Sequence, residues 1–256
     1  MQTIFGFDYL AIFLGGVGAG ILNSVAGGGT LVSYPILLWA GRDPIIANAT
    51  NSLALWPGSL AGAWGLRREI AAVPRLLKVL VPAAVLGGVG GGALLLATPS
   101  KVFAAFVPYL ILFATAVLAG KALLTRPRTQ ASEPASAQRT TVLFAAQFLV
   151  SVYGGYFGAG MGILMLAALG LYGVASFHER NAVKNLLAAT TNGVASIFFT
   201  AAGAIRWSDG LALGAGAIVG GLIGAAVGRR LSAKTLEKVA ILVGIVATLS
   251  LILRRC

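Results

Sequence analysis

Two glycine clusters and two stripes of amides and hydroxyls are the residues of this sequence best suited to chemistry. The first cluster is Gly27-Gly28-Gly29-Thr30; the second is Gly154-Gly155 with Gly158-Ala159-Gly160-Met161-Gly162. Glycine lets a chain turn sharply and lets a ligand approach the backbone. Where such a turn opens a helix, free N–H groups and the positive end of the helix dipole suit an anion. The plainer reading is that these glycines only let helices pack closely. A polar stripe follows each cluster. Asn185, Asn192 and Ser196 lie 4, 11 and 15 residues beyond Asn181, within about 60° on a helix. Asn48, Ser52 and Ser59 repeat the stripe, with Asn51 alongside. Amides facing lipid are costly, so these must face protein or a watery cavity; hydrogen bonding between helices is the alternative.

The candidate binding residues are therefore Gly28, Gly29, Thr30, Asn48, Asn51 and Ser52, together with Gly158, Gly160, Met161, Lys184, Asn185, Thr191 and Asn192. Lys184 either snorkels to a headgroup region or draws anions inward. His178 and Glu179 either serve proton coupling or form an ordinary polar loop. Trp56-Pro57-Gly58 and Thr190-Thr191-Asn192 fall at equivalent depth, and both are expected to disturb their helices.

Other chemistries find no residues. Cys256 and His178 are each the only one of their kind, which leaves neither a disulfide nor a metal set. No nucleophile stands with a base, so no catalytic residue is expected and the chain is read as no enzyme. Gly16-Val17-Gly18-Ala19-Gly20 sits within an apolar run without a preceding strand, and no phosphate-loop motif occurs. The acids Asp8, Asp43, Glu69, Glu133, Glu179, Asp209 and Glu237 all fall at segment ends or in loops. That argues against ATP drive, an acid-lined cation channel and a carboxylate relay. No cofactor is expected.

The elements that position these residues must be membrane helices. Of 256 residues, 58% are hydrophobic and 10% charged, with a mean hydropathy of +0.90. A soluble surface needs more charge than that. The net charge of +12 sits in short loops between apolar runs, as topology signals do, and does not indicate nucleic acid. The N-terminus lacks a basic region, so no cleavable signal peptide is expected. Apolar segments run over 7–40, 45–66, 73–97, 102–124, 141–176, 182–203, 207–228 and 235–253. The first and fifth are too long for one crossing: about 34 helical residues span about 51 Å against a core of about 30 Å. Each carries a glycine cluster in its middle, and each is expected to be a broken hairpin that returns to its starting side.

The polar stretch 125–139 divides the chain into repeats at 1–124 and 140–256. Asn51 falls on Asn185, Gly87-Gly88 on Gly220-Gly221, Gly91 on Gly224 and Lys101 on Lys234, at offsets of 133 or 134. This is a duplication. If both hairpins return, one side carries 14 Lys and Arg and the other 5; if every segment crosses once, the split is 11 to 8. The positive-inside rule favours the first. The expected fold is all-α, with two inverted-topology repeats, each a glycine-broken hairpin plus three transmembrane helices. The 125–139 loop is then cytoplasmic and both termini periplasmic.

The Ala26-Gly-Gly-Gly-Thr30-Leu hairpin, Ala47-Asn-Ala-Thr-Asn51-Ser, Gly154-Gly-Tyr-Phe-Gly-Ala-Gly-Met-Gly162-Ile and Asn181-Ala-Val-Lys-Asn185-Leu-Leu resemble the sulfite exporter TauE/SafE family across nearly the whole chain. Many members of the family carry another small polar residue at the position of Asn51. The resemblance implies a bacterial inner-membrane transporter that exports sulfite, sulfoacetate or related organosulfonates, passively or weakly coupled. Its partners would be a small anion and the bilayer, with a homodimer left open. Transport of another anion, a cation or a neutral solute is the alternative; a membrane-embedded enzyme or a structural partner protein is the rival from other classes. The topology has a direct test. With Cys256 replaced, a cysteine at Gln130 should resist impermeant thiol reagents in intact cells and react once the membrane is opened; labelling from outside would overturn the inversion.

Overall fold

A computed structural model describes residues 2–25, 28–120, 137–171, 177–227 and 233–253. Gly27, most of the 125–139 loop, the His178 side chain and Cys256 lie outside the described parts. Every regular element among the described residues is a helix. In chain order these are α1 (Gln2–Val25), α2 (Thr30–Trp39), α3 (Pro44–Gly65), α4 (Arg67–Ala71), α5 (Pro74–Ala97) and α6 (Ser100–Ala119). After the linker come α7 (Ala137–Tyr156), α8 (Met161–Leu171), α9 (Phe177–Ala201), α10 (Trp207–Val227) and α11 (Ala233–Leu253).

Both long segments are interrupted where their glycines cluster, and α2 and α8 are short helices of 10 and 11 residues. The first pair folds back on itself. Gly15 faces Ile36, Gly18 faces Val32, and Gly29 lies against Ala19 and Asn23. The short helix therefore runs antiparallel along α1 and ends level with its earlier turns. Asp43 then caps α3, accepting hydrogen bonds from the Ile45 and Ile46 amides at 2.9 and 3.3 Å. Pro44 at the first turn suits that start, because its missing N–H would have had no partner.

The expected disturbances at Trp56-Pro57-Gly58 and Thr190-Thr191-Asn192 do not appear as breaks. Helices α3 and α9 run continuously through both. Pro57 removes one N–H and leaves the Leu53 carbonyl without its usual donor, but packed neighbours hold the helix together. Pro35, Pro82 and Pro108 likewise stand inside helices.

Packing crosses between the halves in a pattern that survives their exchange. Helix α1 packs on α10, and its counterpart α7 packs on α5; α9 packs on α5, and α3 on α10. Helices α3 and α9 pack on each other, as do α6 and α11. Glycine makes the tight seams possible. A Cβ on Gly16, Gly20, Gly216 or Gly220 would collide with backbone across the α1–α10 seam. Gly87, Gly91 and Gly155 play the same part between α5 and α7.

Two contacts join distant loops. Asp209, buried in the first turn of α10, pairs with Arg42 at 2.6 Å and with Arg206 at 3.3 Å. The short helix α4 packs on α9.

The outer surface is apolar. Leu149, Ile197, Leu211, Leu222 and Leu253 are each at least 65% exposed, and exposed apolar area on that scale marks contact with lipid or protein. Among the described residues, α5 and α6 are long and apolar enough to cross a membrane. Trp39, Trp64 and Trp207 are exposed at helix ends, where interfacial anchors sit.

The seam can be tested. Gly20→Val should force α1 away from the Ala217 carbonyl and lower both folded yield and melting temperature in detergent. Gly58→Ala has open space around it and should leave stability level or raise it by up to about 1 kcal/mol.

Candidate functional site

The two interruptions meet in the interior. Asn23, Gly29 and Thr30 from the first hairpin face Gly158, Met161 and Gly162 from the second across one narrow cavity. Its remaining walls are Leu55 and Ser59 of α3 and Lys184, Asn185, Ala188 and Asn192 of α9. Leu55 and Ser59 stand four residues apart, as do Ala188 and Asn192, and each pair is 133 residues from the other (188 − 55 and 192 − 59). The cavity measures about 30 Å³, room for one or two waters.

Different physics shapes the two tips. Gly29 has ordinary right-handed backbone, φ −54°, but a Cβ there would lie 2.6 Å from the Ala19 carbonyl oxygen. Close approach requires glycine at that position. In the second tip, Gly158 and Gly160 have φ of 81° and 73°, a region L-residues seldom adopt. The Tyr153 hydroxyl donates to the Ala159 carbonyl at 2.6 Å and steadies this turn. Tyr34 and Phe157 meet edge to face at 5.2 Å and join the two hairpins, while Phe103 packs against Tyr156 and Phe157.

The cavity therefore lies at the N-termini of two short helices, α2 beginning at Thr30 and α8 at Met161. Both present the positive end of their dipoles to it. Lys184 is 6% exposed and forms part of the wall; it does not snorkel. The side chains of Asn23, Asn185 and Asn192 make no hydrogen bond among the described residues. They are neutral groups with donors to spare, beside one cation and two dipole ends.

Of the residues expected from sequence, Gly29, Thr30, Gly158, Met161, Lys184, Asn185 and Asn192 come together around this cavity. The others stand behind it. Asn51 accepts from the Ser33 hydroxyl at 2.5 Å and donates to the Thr30 hydroxyl at 3.3 Å, which fixes α2 to α3. Asn48 donates to the Tyr156 carbonyl at 2.9 Å, holding the second hairpin with a helix of the first half. Ser52 bonds back to the Asn48 carbonyl. The Thr191 hydroxyl donates to Ser151, which also receives Gln147. Gly28 faces Leu22, Leu31 and Leu118, and Gly160 packs near Ala114. Asn23 was not among the expected residues. The sequence signal for it was an amide late in an apolar helix, a few residues before the glycine cluster. Ser59 was part of the polar stripe but not a candidate for binding.

An all-helical chain with an apolar exterior and a polar cavity between two helix interruptions has the form of a helical membrane transporter. The family model for the sulfite exporter TauE/SafE matches residues 12–251, and the chain belongs to that family. It is 31% identical to a probable membrane transporter protein of Haemophilus influenzae over 86% of this chain and 85% of that one. Identity is 28% with the probable membrane transporter protein ORF9 of a Sinorhizobium species, over 97% and 92% of the two chains. It is 29% with the probable membrane transporter protein YfcA of Escherichia coli K12, over 83% and 76%. No solved structure matches the chain.

The geometry separates supporting from lining amides. Asn51→Ala should leave Ser33 and Thr30 without partners and cost about 1–3 kcal/mol of stability. Asn185→Ala removes no internal hydrogen bond and should melt within a degree or two of the parent; thermal unfolding of the purified proteins distinguishes the two.

Proposed function

We propose that this transporter exports small sulfur-containing oxyanions, sulfite or organosulfonates, through the cavity between the two hairpin tips. The observation that carries the reading is the convergence of two helix N-termini, Lys184 and the free amides of Asn23, Asn185 and Asn192 on one buried space. Each oxygen of a pyramidal or tetrahedral anion accepts several neutral donors. Such donors hold an anion yet let it leave, which a pair of buried arginines would oppose. An inside-negative potential favours anion exit by about 2.3 kcal/mol per charge per 100 mV, so outward movement needs no fuel. The family supports a sulfur oxyanion as cargo. The cavity has to widen to admit one, as expected of a binding site that opens alternately to the two sides.

The same reading places two inverted repeats in the bacterial inner membrane, with the termini periplasmic. Arg42 and Arg206 share the Asp209 carboxylate, and α4 rests on α9. If every apolar segment crossed once, Arg42 and Arg206 would lie on opposite faces, and so would α4 and the start of α9. Returning hairpins put each pair on a common face and leave three crossings per half. The exchange of packing partners between the halves supports the same pseudo-two-fold arrangement.

Flux in proteoliposomes tests the function. Labelled sulfite and sulfoacetate should move down their gradients, faster with the potential set to favour exit, while sodium, potassium and neutral sugars should not. Asn185→Ala should weaken the apparent affinity about 5- to 150-fold, the loss of about 1–3 kcal/mol. Gly160→Val should abolish transport, because a branched side chain cannot adopt that backbone. Cation flux without anion flux would overturn the proposal.

A further inference from the structure

Helix α9 presents Arg180, Lys184, Ala188 and Asn192 four residues apart, one above another on a single face. The last three line the cavity. Arg180 stands one turn earlier, about 6 Å along the axis. It is only 7% exposed. Its Nε is fully buried and has no hydrogen-bond partner, and the residue makes no ion pair or hydrogen bond among the described residues. The guanidinium leans on the last turn of α8, where a Cβ on Gly170 would come within 3.0 Å of one terminal nitrogen. The negative end of the α8 dipole eases part of the charge there. It does not supply an acceptor for Nε.

A buried guanidinium without an acceptor is costly, and buried charge persists where it is compensated. The missing acceptor has to be a small group able to enter and leave. We propose that Arg180 is a staging site for the transported anion, holding it through charge-assisted hydrogen bonds between the α4-bearing face of the protein and the Lys184 cavity. This rests on the anion-transport reading above. The site takes an oxyanion with at least two oxygens on one face, because a guanidinium presents parallel donors that match such an edge. The ion then passes from Arg180 to Lys184 and on to the amides, from a full planar charge to neutral donors. Binding weakens stepwise toward the release side.

The consequence is an asymmetry between faces. In inverted membrane vesicles, labelled sulfite meets the cytoplasmic face; in right-side-out vesicles it meets the other. Arg180→Gln should raise KM about 10- to 100-fold for sulfite offered at the cytoplasmic face, the loss of a charge-assisted contact. It should change KM less than about twofold at the outer face, since the cavity donors are untouched. Arg180→Lys should recover most of the loss, because it restores the charge without the fork. Should Arg180→Gln fail to reach the membrane, Arg180→Lys serves alone, with a KM increase of about threefold confined to the cytoplasmic face. Equal changes at both faces, or unchanged KM in a well-expressed variant, would overturn the staging role and leave the cavity assignment standing; the orphan Nε would then bind only water. If the parent protein moves no sulfite or sulfonate in either vesicle, the staging role and the transport reading fall together.

Discussion

An interrupted helix inside a membrane protein leaves backbone groups that lipid cannot satisfy, and this constraint organises the molecule. Helix α1 stops before Gly28 and α7 stops at Tyr156, so free carbonyls end one helix and free amides open the next. These ends have to lie in protein or against a polar cavity. The structure brings both interruptions to the same interior space, where each shields the other from lipid. Asn48 reaches across the halves to the Tyr156 carbonyl, and Asn51 ties Thr30 and Ser33 to α3. The side chains that satisfy the broken ends thus also fix the hairpins relative to the continuous helices.

Close packing follows from that arrangement. Each hairpin's first helix lies on a continuous helix of the other half, α1 on α10 and α7 on α5. With no hydrophobic driving force inside a bilayer, such seams depend on van der Waals contact and on backbones approaching closely. Glycine provides the approach. Its use in the two seams is matched: Gly220 meets Val17, and Gly87, 133 residues earlier, meets Ser151, 134 residues after Val17. The duplication is thus visible in the contacts as well as in the spacing of the residues.

Charge is distributed so that it can act. Asp209 is buried but fully engaged by Arg42 and Arg206, and it locks the turn after α2 to the start of α10. Lys184 and Arg180 are buried on the opposite reach of α9, on the face that leads to the cavity. Near the cavity itself the polar groups are amides, hydroxyls and helix ends. Such groups offer many weak contacts and no deep electrostatic trap, which is the compromise a carrier requires between binding and release.

Much of this was legible in the sequence. The excess length of two apolar segments, together with glycine clusters in their middles, required hairpins, because a bilayer core has a fixed thickness and glycine weakens a helix there. The four-residue spacing from Asn181 to Asn185, and on to Asn192, marked one face of α9, because helical periodicity is local. Which amides line the cavity and which support it was not legible. Asn51 and Asn185 are the same residue type at corresponding places in the repeat, yet one is consumed by Ser33 and Thr30 and the other is left open. Pro57 suggested a break that neighbouring helices suppress. Asn23 and Arg180 gained their significance only when the hairpins folded inward. Local sequence determines where a helix starts, stops and turns its polar face; the partners its side chains meet come from elements more than a hundred residues away, and only the tertiary structure decides them.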